Sequence, residues 1–160
     1  MPVETMFHEL LLTFFTAMVP VLELRGAIPV GVAAGLPPAA ACAAAIAGNM
    51  VPVPFILLLI RRIFAWLRNT ALLGTKIAAL ERRAHLKGRV VRKYRLPGLV
   101  ILVAIPLPGT GAWTGTLAAS LLDMDFKSSV LACMGGVLLA GCIMGALSLA
   151  GVSALGAVVA

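Results

Sequence analysis

Apolar runs dominate this chain, yet most are cut short before they reach membrane-spanning length. Residues 6–19 are a largely apolar piece that runs into Pro20, short of the roughly 20 residues a spanning helix needs. Val21-Leu22-Glu23-Leu24-Arg25-Gly26-Ala27-Ile28-Pro29 follows, then a second short apolar piece, 30–36, ended by Pro37-Pro38. Residues 39–60 are long enough to cross. Gly48-Asn49 and Pro52-Val53-Pro54 predict kinks there, because proline removes a backbone donor and crowds the preceding turn.

A basic centre comes next. Residues 63–73 set Phe64, Trp66 and Leu67 among Arg61, Arg62 and Arg68, a mixture suited to headgroup level. From 75 to 95, Ile77, Leu80, Ala84, Val91 and Tyr94 recur at helical spacing, with Arg82, Arg83, Lys87, Arg89, Arg92 and Lys93 on the other faces. This is an amphipathic helix, either lying on an anionic cytoplasmic leaflet or solvated and serving only to set topology.

The first pattern then returns. Residues 97–105 form a short apolar piece, broken by Pro106-Leu107-Pro108-Gly109-Thr110-Gly111-Ala112-Trp113-Thr114-Gly115. Residues 116–122 form another, ended by Asp123-Met124-Asp125, and 128–149 are long enough to span, with a tail of small residues to Ala160. At an offset of about 86, Val19-Pro20 falls on Ile105-Pro106, and Gly48-Asn49 falls within a residue of Gly135-Gly136, as expected for a transporter built of repeats with discontinuous helices. The expected fold is an all-α integral membrane protein of two inverted repeats. Each repeat is a broken, re-entrant helical hairpin plus a transmembrane helix, and a basic cytoplasmic amphipathic region joins them. The divisions are 1–60, 61–96 and 97–160 within one membrane domain, with both termini outside. A competing arrangement makes 6–22 and 27–47 ordinary spans joined at the surface by 23–26.

Composition supports the membrane assignment. Of 160 residues, 61% are hydrophobic and 12% charged, with a mean hydropathy of +1.07; soluble domains run near 45–50% apolar and about 25% charged. The opening carries Glu4, His8 and Glu9 where a secretory signal would carry Lys or Arg, so no cleaved leader is expected. A net charge of +7 points towards nucleic acid only until its distribution is read. Eleven of the thirteen basic residues lie between Arg61 and Arg95, with Glu81 the only acid among them. That is a positive-inside connection of an inner-membrane, multi-pass protein, and nucleic-acid binding is not expected. Cys42, Cys133 and Cys142 sit in apolar segments without CxxC spacing or His companions and read as packing residues.

Candidate chemistry concentrates in the two breaks. Glu23 and Arg25 are the oppositely charged pair embedded in apolar sequence, and a charge at mid-membrane costs about 2.5–3.5 kcal/mol on insertion scales unless it has a partner or a watery cavity. A break supplied by Gly26 and Pro29 would turn both heads to one cavity, Glu23 as a proton-linked carboxylate and Arg25 as its partner or an anion clamp. A structural ion pair is the alternative. In the second break, Pro108, Gly109, Thr110, Gly111, Trp113 and Thr114 offer bare backbone, hydroxyls and an aromatic face, and the following half-helix would aim free N–H groups inward. A tight turn that needs glycine for packing is the alternative there. Asn49 would line the cavity or bond a neighbouring helix. No Ser-His-Asp, Cys-His or paired-carboxylate set stands out, so neither an enzyme nor a cofactor or metal site is expected.

Through residues 23–29 and 106–115, and also Gly48-Asn49, Pro52-Val53-Pro54 and the basic middle, the chain resembles the small multidrug export protein family of bacteria and archaea. The resemblance implies drug export. Its two broken elements are similar, more remotely, to the DedA-type membrane proteins. That likeness implies lipid-phosphate transport through acidic and arginine residues, though the second hairpin here carries no Arg. The expected function is a small secondary transporter, homodimeric, proton-coupled through Glu23, taking a small molecule or lipid from a setting of membrane lipids. A DedA-like carrier of lipid phosphate or another anionic solute, and a non-transporting scaffold or assembly factor, are the alternatives. In the hairpin arrangement, Cys substituted at Glu23 or Thr110 is shielded from bulk thiol reagents; rapid labelling of the Glu23 position would favour the ordinary spans.

Overall fold

The computed structural model describes residues 3–68, 95–107 and 110–159, and all its regular structure is helical. The helices are α1 (Val3–Met18), α2 (Glu23–Ala33), α3 (Pro38–Met50), α4 (Pro52–Arg68), α5 (Arg95–Ala104), α6 (Ala112–Leu121) and α7 (Phe126–Val159). The expected amphipathic helix of the basic centre lies outside the described residues. Two segments are long and apolar enough to span. Pro38–Ile60 has a mean hydropathy of 2.1 and is interrupted at Val51, and Phe126–Gly151 has one of 2.3. The tail of small residues continues α7 as helix to Val159.

The remaining helices are short and doubled back. Gly31 of α2 lies against Thr13 of α1, and Gly115 of α6 against Leu99 and Val103 of α5. Both first breaks differ in place from the expectation. The interruption between α1 and α2 is residues 19–22, and Glu23 through Pro29 are already helical. Glu23 N–H and Gly26 N–H donate to the carbonyls of Val19 and Leu22, so α2 is nucleated before Gly26 rather than broken by it. Pro29 is carried inside α2. Likewise α6 begins at Ala112, so Trp113, Thr114 and Gly115 belong to its first turns rather than to the break.

The second turn of each half is one motif. Leu36 N–H donates to Gly31 C=O and Gly35 N–H to Val32 C=O; 88 positions on, Met124 donates to Ala119 and Asp123 to Ser120. These are the paired bonds of a Schellman stop, with a left-handed residue at its corner and a buried apolar residue after it. Gly35 takes the corner at φ 97° and Asp123 at φ 51°, while Leu36 and Met124 are buried. The long helices then approach the first helices through glycine. A side chain at Gly48 would strike the Phe14 carbonyl, and one at Gly136 the Val100 carbonyl.

The packing crosses between halves. α2 lies on α7, and α6 lies on α4. One core rich in small residues results, with Ala17, Ala27, Ala45, Ala112, Ala119, Ala132, Cys133 and Ala140 set among larger members that include Leu24, Ile28, Val53, Leu57, Leu99 and Val103. Small residues let helix backbones approach closely where van der Waals contact is the main attraction. The exterior is apolar too: Phe7, Phe15, Phe55, Leu59, Leu131, Leu139 and Leu147 are all exposed. A surface of that kind is matched to hydrocarbon.

Two glycine approaches are testable. Gly48→Val and Gly136→Val each force a branched side chain into a neighbouring carbonyl and should lower stability by about 1–3 kcal/mol or more. Gly151→Ala, with nothing within 4 Å of the new methyl, should leave it unchanged or slightly raised. Thermal unfolding in mild detergent reads both. Equal melting of all three variants would mean that the helix contacts are looser than described.

Candidate functional site

The two residues that anchor the site come from the first turn of α2. Glu23 is 4% exposed and takes a left-handed φ of 49°, unusual for a residue with a side chain. Its Oε1 accepts the Trp113 backbone N–H at 3.1 Å. Its carboxylate also lies so close to Gly111 that any side chain there would overlap it. Gly111 has φ 137° and ψ −166°, a conformation essentially reserved for glycine. The carboxylate therefore caps the N-terminus of α6 from 90 residues away in sequence, accepting a donor that the helix itself leaves unpaired.

Arg25 serves the other end of the same break. Its Nη1 donates to the Leu107 carbonyl, and its Nη2 lies 3.0 Å from both the Ile105 carbonyl and Thr110 Oγ1. The Thr110 hydroxyl in turn lies 2.8 and 2.9 Å from the carbonyls of Ile105 and Leu107, so its single hydrogen is shared between them. The chain leaves the helix at Ala104 and meets Pro106, and here these carbonyls accept only single backbone bonds, from Leu107 N–H and Thr110 N–H, which leaves a lone pair of each for the side chains. Glu23 and Arg25 interact electrostatically, but their hydrogen bonds run to the backbone and the Thr110 hydroxyl of the second half rather than to each other. The planar fork of arginine matches this set of acceptors, which a lysine point charge would not.

Around this junction lies a cavity of about 550 Å³. Glu23, Arg25, Gly26, Thr110, Trp113 and Thr114 line it, together with Pro20, Val21, Leu22, Pro106 and Leu107. Six of the residues expected from sequence thus share one space, and Gly111 touches it through Glu23. Pro108 and Gly109 lie outside the described residues. Pro29 is not part of it: three residues beyond Gly26 it borders a separate groove between α2 and α7. Asn49 is not part of it either, being wholly buried near the end of α3, with neither side-chain polar atom bonded. The apolar walls Pro20, Val21 and Leu22 were missed by sequence reasoning, although their place in the four-residue break marks them. The carbonyls of Ile105 and Leu107 were missed as well, and the flanking prolines were the signal for them.

A chain of short paired helices, two spanning segments and an apolar exterior, with a charged cavity between its broken elements, is a small helical membrane protein of transport type. Residues 23–143 match the family described as "Putative small multi-drug export protein", and the chain belongs to that family. No curated protein and no solved structure matches it.

The capping contacts are open to test by unfolding in mild detergent. Arg25→Lys should lower stability by about 2 kcal/mol and Thr110→Val by about 1 kcal/mol, and the double variant should cost less than their sum because both act on the same carbonyls. Strict additivity would show that the two side chains do not share a network.

Proposed function

We propose that this protein is a small secondary transporter of the inner membrane that exports drug-sized, lipophilic cations in exchange for protons. The observation that carries the reading is the cavity of about 550 Å³ in which one acidic residue, Glu23, stands among apolar walls and the Trp113 ring. That is a counter-charge, a face for cation–π contact and apolar surface in one space, at the volume typical of small-molecule sites. Both Nη groups of Arg25 are occupied by acceptors of the second break, which argues for it as a positioning residue, and its buried Nε is the donor left without a partner. Glu23 would hold either a proton or the cation, so that loading one releases the other.

The recurrent turn, the recurrent glycine approach and the crossed packing of α2 on α7 and α6 on α4 support an inverted-repeat reading. In it each short pair is a re-entrant hairpin and the basic centre is cytoplasmic. Rocking of one repeat against the other would then expose the cavity to each side in turn. A homodimer belongs to the same reading, but Gly136, Gly141 and Gly145 of α7 are buried against α5 and α3 within the protomer, so its contact would use exposed apolar residues instead.

The capping geometry also favours a second reading, a non-transporting scaffold in which Glu23 and Arg25 serve the fold alone. Glu23→Gln separates the two, because the amide oxygen still accepts the Trp113 N–H while the titratable charge is gone. In proteoliposomes with an imposed proton gradient, the wild type should move tetraphenylphosphonium, and Glu23→Gln should abolish the movement while melting at a similar temperature. Undiminished transport in a folded Glu23→Gln protein would refute the proton-coupled role. Absence of gradient-driven transport in the wild type would leave the scaffold.

A further inference from the structure

The groove that holds Pro29 has a place in the same chemistry. It is about 400 Å³ in size and lies between α2 and α7, with Pro29, Val32 and Ala33 on one wall and Met144, Leu147 and Ser148 on the other. Ser148 is its one polar side chain, so nothing in it answers a charge. Its position on α2 relates it to the cavity. Leu22, Gly26, Pro29 and Ala33 follow one another at intervals of four, three and four residues, which places them in one stripe along the helix. Leu22 and Gly26 line the cavity; Pro29 and Ala33 line the groove.

The stripe is not covered by a neighbouring helix at its middle. The three atoms nearest a methyl built on Gly26 all belong to Leu22, the preceding member of the stripe, whose side chain lies over the glycine. Leu22, Pro29 and Ala33 are themselves exposed. From Leu22 to Ala33 the helix rises about 16 Å, so a polar junction at one end and an apolar trough at the other lie within the length of one amphiphile. Gly26 adds no side chain of its own between them.

We infer that the α2–α7 groove is the tail site of the transported molecule, so that the substrate is an amphiphilic cation with an alkyl chain that enters sideways from the bilayer. The inference rests on the transport reading above and goes further by naming the substrate's shape and its route. The head group sits in the cavity against Glu23 and Trp113. The chain crosses Gly26, follows the stripe past Pro29 and ends between Ala33 and Leu147. A molecule already dissolved in the lipid leaflet reaches this track without crossing water, since the groove opens on the protein's apolar exterior.

The test is equilibrium binding of radiolabelled n-butyltrimethylammonium and n-dodecyltrimethylammonium to the full chain in lipid nanodiscs, with uptake by empty nanodiscs subtracted. The dodecyl ion should bind more tightly than the butyl ion to the wild type. Ala33→Trp and Gly151→Trp fill the groove from opposite walls, Ala33 being exposed and Gly151 having nothing within 4 Å. Each should reduce the advantage of the dodecyl ion by about tenfold or more and leave the butyl ion's affinity unchanged, the latter also showing that the variant is folded. Glu23→Gln should weaken both ions. An advantage that survives both Trp variants, or that is missing in the wild type, overturns the tail site while leaving cation transport standing. If neither ion binds the wild type, the transport reading fails and the tail site with it.

Discussion

An interrupted helix leaves backbone donors and acceptors that apolar surroundings cannot satisfy, and the rest of this structure depends on how those groups are met. In the first half the interruption is four residues long, and it is bridged within the chain by the bonds from Glu23 and Gly26 back to Val19 and Leu22. The second interruption, between Ala104 and Ala112, is longer and carries Pro106; Leu107 N–H and Thr110 N–H bond back to Ile105 and Leu107, but the first donors of α6 and the second lone pairs of those carbonyls are left for side chains. Glu23 and Arg25 complete it, the acid at the starting end of α6 and the base beyond the finishing end of α5. Each unpaired backbone group in hydrocarbon costs several kcal/mol, so two charged side chains that answer several of them are less anomalous in lipid than their charges alone imply.

This arrangement explains why the pair and the cavity occur together. The same loosened backbone that needs capping also fails to fill space, and the volume it leaves is lined by the side chains that cap it. A carboxylate able to leave the Trp113 N–H for another partner would couple the occupancy of that space to the position of α6. Arg25, tied to three acceptors, would hold the base of the junction steady meanwhile. Stability and transport would then draw on one set of contacts, with the acid as the changeable member.

Much of this was legible in the sequence, and what was not has physical causes. The short apolar pieces, the two spanning segments and the interruption before Pro52 followed from run length and proline alone. So did the gathering of Glu23, Arg25, Thr110 and Trp113, because charges and glycines have few other reasons to sit in apolar sequence. The boundaries of the breaks did not follow. Gly26 and Pro29 are ordinary breakers by propensity, but burial of Leu24, Ala27 and Ile28 against the core carries the helix through them. Nor did the partners of the charges, since the mutual attraction of Glu23 and Arg25 is visible in sequence and the carbonyls of Ile105 and Leu107, turned towards Arg25, are not. At Asp123 the sequence shows only a charged end to an apolar piece; its bonds reveal the corner as the counterpart of Gly35.

That spacing of 88 residues gives the Glu23–Gly111 contact a wider meaning. Counted along the chain the two are counterparts, each at the threshold of the second helix of its half, and they touch. On the inverted-repeat reading proposed above, counterparts that touch lie beside the axis relating the halves, where a single place is shared by both copies. Two glutamates would press like charges into it, and two glycines would leave the helix start without an acceptor. One of each fills it, so the protein must be asymmetric at the very point where its halves meet.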